Sequence, residues 1–141
     1  MPDFKNIVVG ISDAETSLTA ARQAVELAVA TGATLHFVTA VSEDDHVVVE
    51  VGSDRFEFDT VESARARVTR FVESLGALVD YTVQVHEGSP SKVLLSEAER
   101  VSADLIVVGN VRMQGIGRVL GSVGNDIVHH APCSVLIVKT V

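Results

Sequence analysis

Five short apolar runs, separated by segments of helical periodicity, restrict this chain more than anything else in it. They are residues 6–11 (NIVVGI), 33–41 (ATLHFVTAV), 79–85, 104–108 (DLIVV) and 134–138 (SVLIV). Runs this short and this rich in apolar residues predict strands buried in a parallel sheet covered on both faces. The segments between them carry helix start and stop signals. Ser12-Asp13-Ala14-Glu15 fits a capping box, Leu18, Ala21, Val25 and Ala28 follow at helical spacing, and Gly32 ends that helix. Asp59 and Glu62 offer a second box, ahead of a stripe of Val61, Ala64, Val68, Phe71 and Leu75 that stops at Gly76. Gly88-Ser89-Pro90 supplies a turn, an N-cap and a proline at N1 for a third helix reaching about Val101. A fourth helix spans 122–130 and is broken by Ala131-Pro132.

Strands alternating with helices in this way predict an α/β fold, a doubly wound parallel five-stranded sheet with four helices and right-handed crossovers. At 141 residues the chain is read as a single domain, 1–141. Residues 42–59 are the least legible. Glu43, Asp44, Asp45 and His46 read as a solvated acidic loop rather than a hard-metal site, and 47–51 with 56–58 are expected as a small hairpin or as ragged extended segments.

The stretch 104–133 draws the chemistry together. After the apolar run comes Gly109, then a loop with Gly115, Gly117 and Gly121, then Ser122 where a helix begins. Glycines let a backbone approach a ligand closely, and the free amides and dipole of a new helix favour an anion. From 105 to 125 the chain carries Arg112 and Arg118 and no acid, although its formal net charge is −8. In a sheet of order 3-2-1-4-5 the switch point lies between the first and fourth apolar strands. That places Ser12 and Asp13, after the first strand, opposite Gly109.

The acidic balance argues against nucleic-acid or anionic-membrane partners. A single cysteine, Cys133, excludes an internal disulfide and reads as a small buried hydrophobe. No run approaches a membrane span and no signal-peptide pattern opens the chain, so a cytoplasmic location is expected. No catalytic constellation stands out. Ser122 lacks a His and an acid at triad positions, His129-His130 read as helix-end packing, and His36 and His86 sit in strands without a second ligand.

GSPSKVLLSEAERVSADLIVVGN, followed by GSVGNDIVHHAPCSVLIV, resembles the universal stress protein (A-type) family, and the match covers nearly the whole chain. The resemblance implies the 3-2-1-4-5 sheet, a stress-related regulator or sensor, and a homodimer built through the last strand. In one branch it also implies ATP, with Mg²⁺ or Mn²⁺, held along G-x2-G-x9-G-[S/T]. Gly109 matches the first glycine of that pattern and Gly121-Ser122 its end. Adenine contacts to backbone late in the second strand map onto Ala40.

Three departures bear on that branch. Arg112 occupies the second glycine position, the loop is one residue shorter than the pattern, and Ser12 stands where an Asp is usual, with Asp13 one place later. Arg112 either obstructs the phosphate path, grips phosphate bidentately, or folds back onto Asp13. Two functions follow: an adenine-nucleotide-binding regulator, with at most slow incidental hydrolysis, or an interaction module that binds no nucleotide. A phosphoacceptor receiver domain needs paired acids after the first strand, and only Asp13 fits.

Overall fold

The computed structural model describes residues 4–11, 16–41, 47–58, 60–76, 78–109 and 122–139. Its elements run β1 (Asn6–Gly10), α1 (Thr16–Thr31), β2 (Thr34–Val41), β3 (Val47–Val51), β4 (Asp54–Phe58), α2 (Thr60–Ser74), β5 (Tyr81–Glu87), α3 (Pro90–Arg100), β6 (Leu105–Gly109), α4 (Ser122–His130) and β7 (Ser134–Val138). Five strands form one sheet in the order β5-β2-β1-β6-β7, and every pairing in it is parallel. With the β3–β4 hairpin set aside, this is the 3-2-1-4-5 order the sequence predicts.

The central strands are mostly apolar because both faces are covered, with His36 and Thr39 as buried polar exceptions in β2. Successive side chains point to opposite faces. Ile7, Val9, Leu35, Phe37, Leu105 and Val107 therefore meet α1 and α2, whereas Val8, Val38, Ile106 and Val108 meet α3 and α4. Helix α1 presents Ala20, Ala21, Ala24 and Ala28 to the sheet, all buried. Small side chains there let the helix sit close over β1 and β6. Leu18 and Val25, expected in the same stripe, are only partly buried. In α2 the buried line is Ala64, Val68 and Val72, so the stripe is rotated slightly from the one through Phe71 and Leu75, which are partly buried.

The helix stops are where the glycines predict them. Gly32 and Gly76 both take positive φ, 74° and 60°, the left-handed conformation in which a side chain is penalised. Ser89 is the N-cap of α3, with Pro90 opening the helix, but its side chain makes no capping hydrogen bond. The uncertain region resolves as a hairpin, β3 antiparallel to β4 with Val47 opposite Phe58 and Val51 opposite Asp54.

Two expectations need correction. The third sheet strand runs from Tyr81 to Glu87 rather than 79–85. Its register against β2, from Leu35↔Tyr81 to Val41↔Glu87, carries it two residues into polar sequence. Being an edge strand with one pairing partner among the described residues, β5 needs no apolar residue there. Cys133 is half-buried rather than buried, packed at the margin of the α3–α4 layer. Burial, and then the charge of Asp104, push its thiol above the ordinary range. The capping boxes at Ser12–Glu15 and Asp59, the acidic run before β3, and the loop from 110 to 121 lie outside the described residues.

Candidate functional site

Neighbouring strands β1 and β6 send the chain to opposite faces of the sheet. After β1 it crosses to α1 in one layer, and after β6 to α4 in the other. A crevice therefore opens beyond their carboxyl ends, where no connection passes from one strand to the next. Gly10, the last residue of β1, is small for a reason of packing. A Cβ there would lie 3.2 Å from both Leu94 methyls and 3.3 Å from Val108, so glycine lets α3 close against the strand end.

The backbone at the crevice mouth is held by specific bonds. The Ile11 N–H donates to the Val38 carbonyl at 2.9 Å, continuing the β1–β2 ladder by half a step. The Gly88 N–H donates to the Val41 carbonyl at 3.0 Å, extending the β2–β5 ladder. Along a parallel strand, the N–H and C=O of one residue turn to one neighbour and those of the next residue to the other. Val41 and Thr39 thus serve β5, while Val38 and Ala40 face the β1 side. A regular ladder would next join the Ala40 N–H to the Ile11 carbonyl. Instead that carbonyl accepts the Thr39 hydroxyl at 2.9 Å, and the β1–β2 pairing ends at Gly10↔Val38.

Of the residues singled out from sequence, Ala40 and Gly109 stand at the same end of the sheet, half-buried, with β1 between their strands. Gly109 closes β6 opposite Val138. Ser122 is the first residue of α4, where the sequence places the start of the helix. Ser12, Asp13, Arg112 and Gly121 lie outside the described residues. Thr39 was not singled out, although a hydroxyl in the middle of ATLHFVTAV was a visible exception to an apolar run.

A second polar cluster lies lower in the sheet, under α3. His36 is 7% exposed, its Nδ1 2.8 Å from the Thr82 hydroxyl and its Nε2 3.0 Å from the Asn6 carboxamide oxygen. Burial holds its imidazole below the ordinary range, and the nearby Glu97 carboxylate offsets this in part. Glu97 is itself only 2% exposed, and its carboxylate accepts from Nε and Nη2 of Arg100. These are satisfied structural groups. A cavity of about 430 Å³ beside them, between the end of β5 and α3, carries Lys92 and Arg100 against Glu87 and Glu97, so neither sign of charge prevails. His130 donates from Nδ1 to the Asp126 carbonyl one turn back, 2.9 Å away, in keeping with helix-end packing. Among the described residues no metal-binding group of His, Cys, Asp and Glu is assembled, and no helix is long and apolar enough to cross a membrane.

This architecture has close relatives. A protein from Staphylococcus aureus (strain USA300), described as a putative universal stress protein, is 28% identical over 99% of this chain and 87% of its own length. A universal stress protein solved in complex with cAMP superposes with a TM-score of 0.76 at 29% identity, covering 99% of this chain and 100% of that one. A universal stress protein from Archaeoglobus fulgidus, solved in complex with dAMP, shares the fold at TM-score 0.68 and 19% identity, covering 98% of this chain and all of that one. The sequence profile of the universal stress protein family matches residues 3–139. With that match and the 3-2-1-4-5 sheet, the chain belongs to the universal stress protein family.

Proposed function

We propose that this protein is a dimeric regulator that binds an adenine nucleotide at the β1–β6 switch point, and that a nucleotide with a single phosphate, such as cAMP or AMP, fits it better than ATP. The observation that carries the reading is the backbone of Ala40. Its N–H, turned toward β1 and not taken by Ile11, is a donor for adenine N1, and its C=O on the same side is an acceptor for the N6 amine. Guanine presents the reverse pattern and is disfavoured. Gly109, Gly121, Ser122 and Arg112 then belong to the phosphate side, and Ser12 and Asp13 to the ribose side of the crevice.

The cAMP complex of a relative 29% identical to this chain supports a short phosphate group. So does the sequence, because the shortened loop with Arg112 in place of a glycine suits one gripped phosphate better than a string of three. The dimer is proposed through β7, which pairs only with β6 among the described residues.

Calorimetric titration with cAMP, AMP, GMP and ATP plus Mg²⁺, repeated on Arg112→Gly, tests this. Expected are micromolar dissociation constants for cAMP or AMP, weaker binding of ATP and GMP, and a loss of affinity in Arg112→Gly. Binding gained only in the glycine variant would mean that the arginine blocks the crevice, and would favour an interaction module working through its dimer surfaces. No adenine nucleotide bound by either protein would end the nucleotide reading.

A further inference from the structure

Thr39 stands out because its side chain does what a backbone amide ordinarily does. The β1–β2 ladder is regular through Gly10↔Val38, and Ile11 still donates to Val38. The next bond in the series belongs to the Ala40 N–H, with the Ile11 carbonyl as acceptor. That carbonyl is taken by the Thr39 hydroxyl at 2.9 Å, in a site where Thr39 is 8% exposed. A buried carbonyl needs a partner, so the hydroxyl satisfies Ile11 while the amide beside it stays out of the ladder.

We infer that Thr39 is a positioning residue which, by capping the Ile11 carbonyl, ends the β1–β2 ladder one bond early and keeps the Ala40 N–H open for the base of a bound nucleotide. The inference rests on the adenine reading above for its ligand, but its structural half stands on the ladder alone. The chemical class it selects is a purine whose six-membered ring offers an acceptor beside an exocyclic amine, which describes adenine. A ring N–H in that place, as in guanine, meets the Ala40 N–H donor to donor.

The device also makes a specific structural claim. Valine has the shape of threonine without the hydroxyl and suits a strand equally well. In Thr39→Val the Ile11 carbonyl loses its hydroxyl partner, and the donor that a regular parallel ladder brings to it is the Ala40 N–H. The ladder then closes by one bond and the reader is occupied.

Two measurements on the full chain test this, using Thr39→Val and Thr39→Ser. In the first, amide exchange at Ala40 is followed by NMR without ligand. It is expected to be at least tenfold slower in Thr39→Val than in the native protein, and close to native in Thr39→Ser. Equal exchange in native and Thr39→Val overturns the inference whether or not any nucleotide binds. In the second, AMP and GMP are titrated by calorimetry. Thr39→Val is expected to bind AMP about tenfold more weakly, with the AMP-over-GMP preference narrowed, and Thr39→Ser to restore both. Native affinity and selectivity in Thr39→Val likewise overturn it. Native protein that binds neither nucleotide, yet shows the exchange difference, refutes the adenine reading and leaves Thr39 as the residue that ends the ladder.

Discussion

The carboxylate of Asp104 accepts the backbone N–H of Asn6 at 3.0 Å, and the Asp104 N–H donates back to the Asn6 carbonyl at 2.8 Å. The same carboxylate oxygen also takes the Lys5 N–H at 2.8 Å. One side chain therefore ties the start of β1 to the start of β6 across 98 residues of sequence. The far ends of those two strands frame the switch-point crevice. A register error at the Asp104 end would displace Ile11 relative to Gly109, so the clamp and the site are two ends of one alignment.

Removing the clamp should cost stability directly. The two N–H donors, Asn6 first and Lys5 second, hold the Asp104 carboxyl below its ordinary value of 3.8. Asp104→Ala is expected to lose about 1–2 kcal/mol at neutral pH, with Asp104→Asn in between, by urea unfolding. The sign with pH follows from the lowered value. The contribution is complete above 3.8 and is lost as pH falls through the lower folded value. Native protein should therefore lose its advantage over Asp104→Ala in strong acid. A difference between the two that is the same at pH 7 and at pH 2 would show that the charged hydrogen bonds are not its source.

Much of this was legible beforehand, and the gaps have physical causes. The strands β1, β2, β6 and β7 could be read because each is a short, predominantly apolar run, which in β1, β2 and β6 follows from burial on both faces. β5 was displaced by two residues because an edge strand is held by its register with β2, and His86 and Glu87 pair there without being buried. Gly109 was placed by the topology, which fixes which strand ends meet, and Ala40 by the resemblance to the universal stress protein family. Thr39 and the Asn6–His36–Thr82 cluster were not, because their partners come from other strands at separations no local pattern encodes. The burial of Glu97 was equally hidden, since Ser-Glu-Ala-Glu-Arg reads as a solvated helix face. Only the packing of α3 over β2 shows which of its two glutamates turns inward.

His36 predicts a second pH dependence in a different window. Burial lowers its folded value below 6.5, with Glu97 opposing and Arg100 adding to the shift. The unfolded chain thus takes up a proton near 6.5 while the folded protein resists it. Stability should fall as pH drops from about 7, and flatten once the folded histidine also protonates. His36→Gln, which keeps an amide able to reach Asn6 or Thr82, should flatten the slope between pH 7 and 5. Thermal melts across that range would show it, and an unchanged slope in the variant would assign the effect to another group.

Glu97 and Arg100 predict an asymmetry between partners. The carboxylate is 2% exposed and the guanidinium side chain 57% exposed, so only one of the pair depends on the other for solvation. Arg100→Ala strands a buried charge and should lower the melting temperature. Glu97→Leu removes the buried charge and supplies apolar surface, and should be neutral or stabilising. The double variant should resemble Glu97→Leu, because nothing is left for the arginine to compensate. Equal losses from both single variants would mean that the pair behaves as an ordinary surface ion pair.

Strand β7 carries Val135, Leu136 and Ile137, all half-exposed, and pairs on one side only among the described residues. An edge of this composition carries backbone donors and acceptors beside apolar side chains, and it lacks the inward charge or proline that guards most free edges. A second copy placed across a twofold axis satisfies both at once, since the same strand then meets itself. Light scattering at micromolar concentration should give the mass of two chains for the native protein. Val135→Lys, which puts a charge on the edge strand, should shift it to one chain while leaving the far-ultraviolet circular dichroism unchanged. A native monomer would remove the β7 dimer, and a dimer that survives Val135→Lys would place the interface elsewhere on the fold.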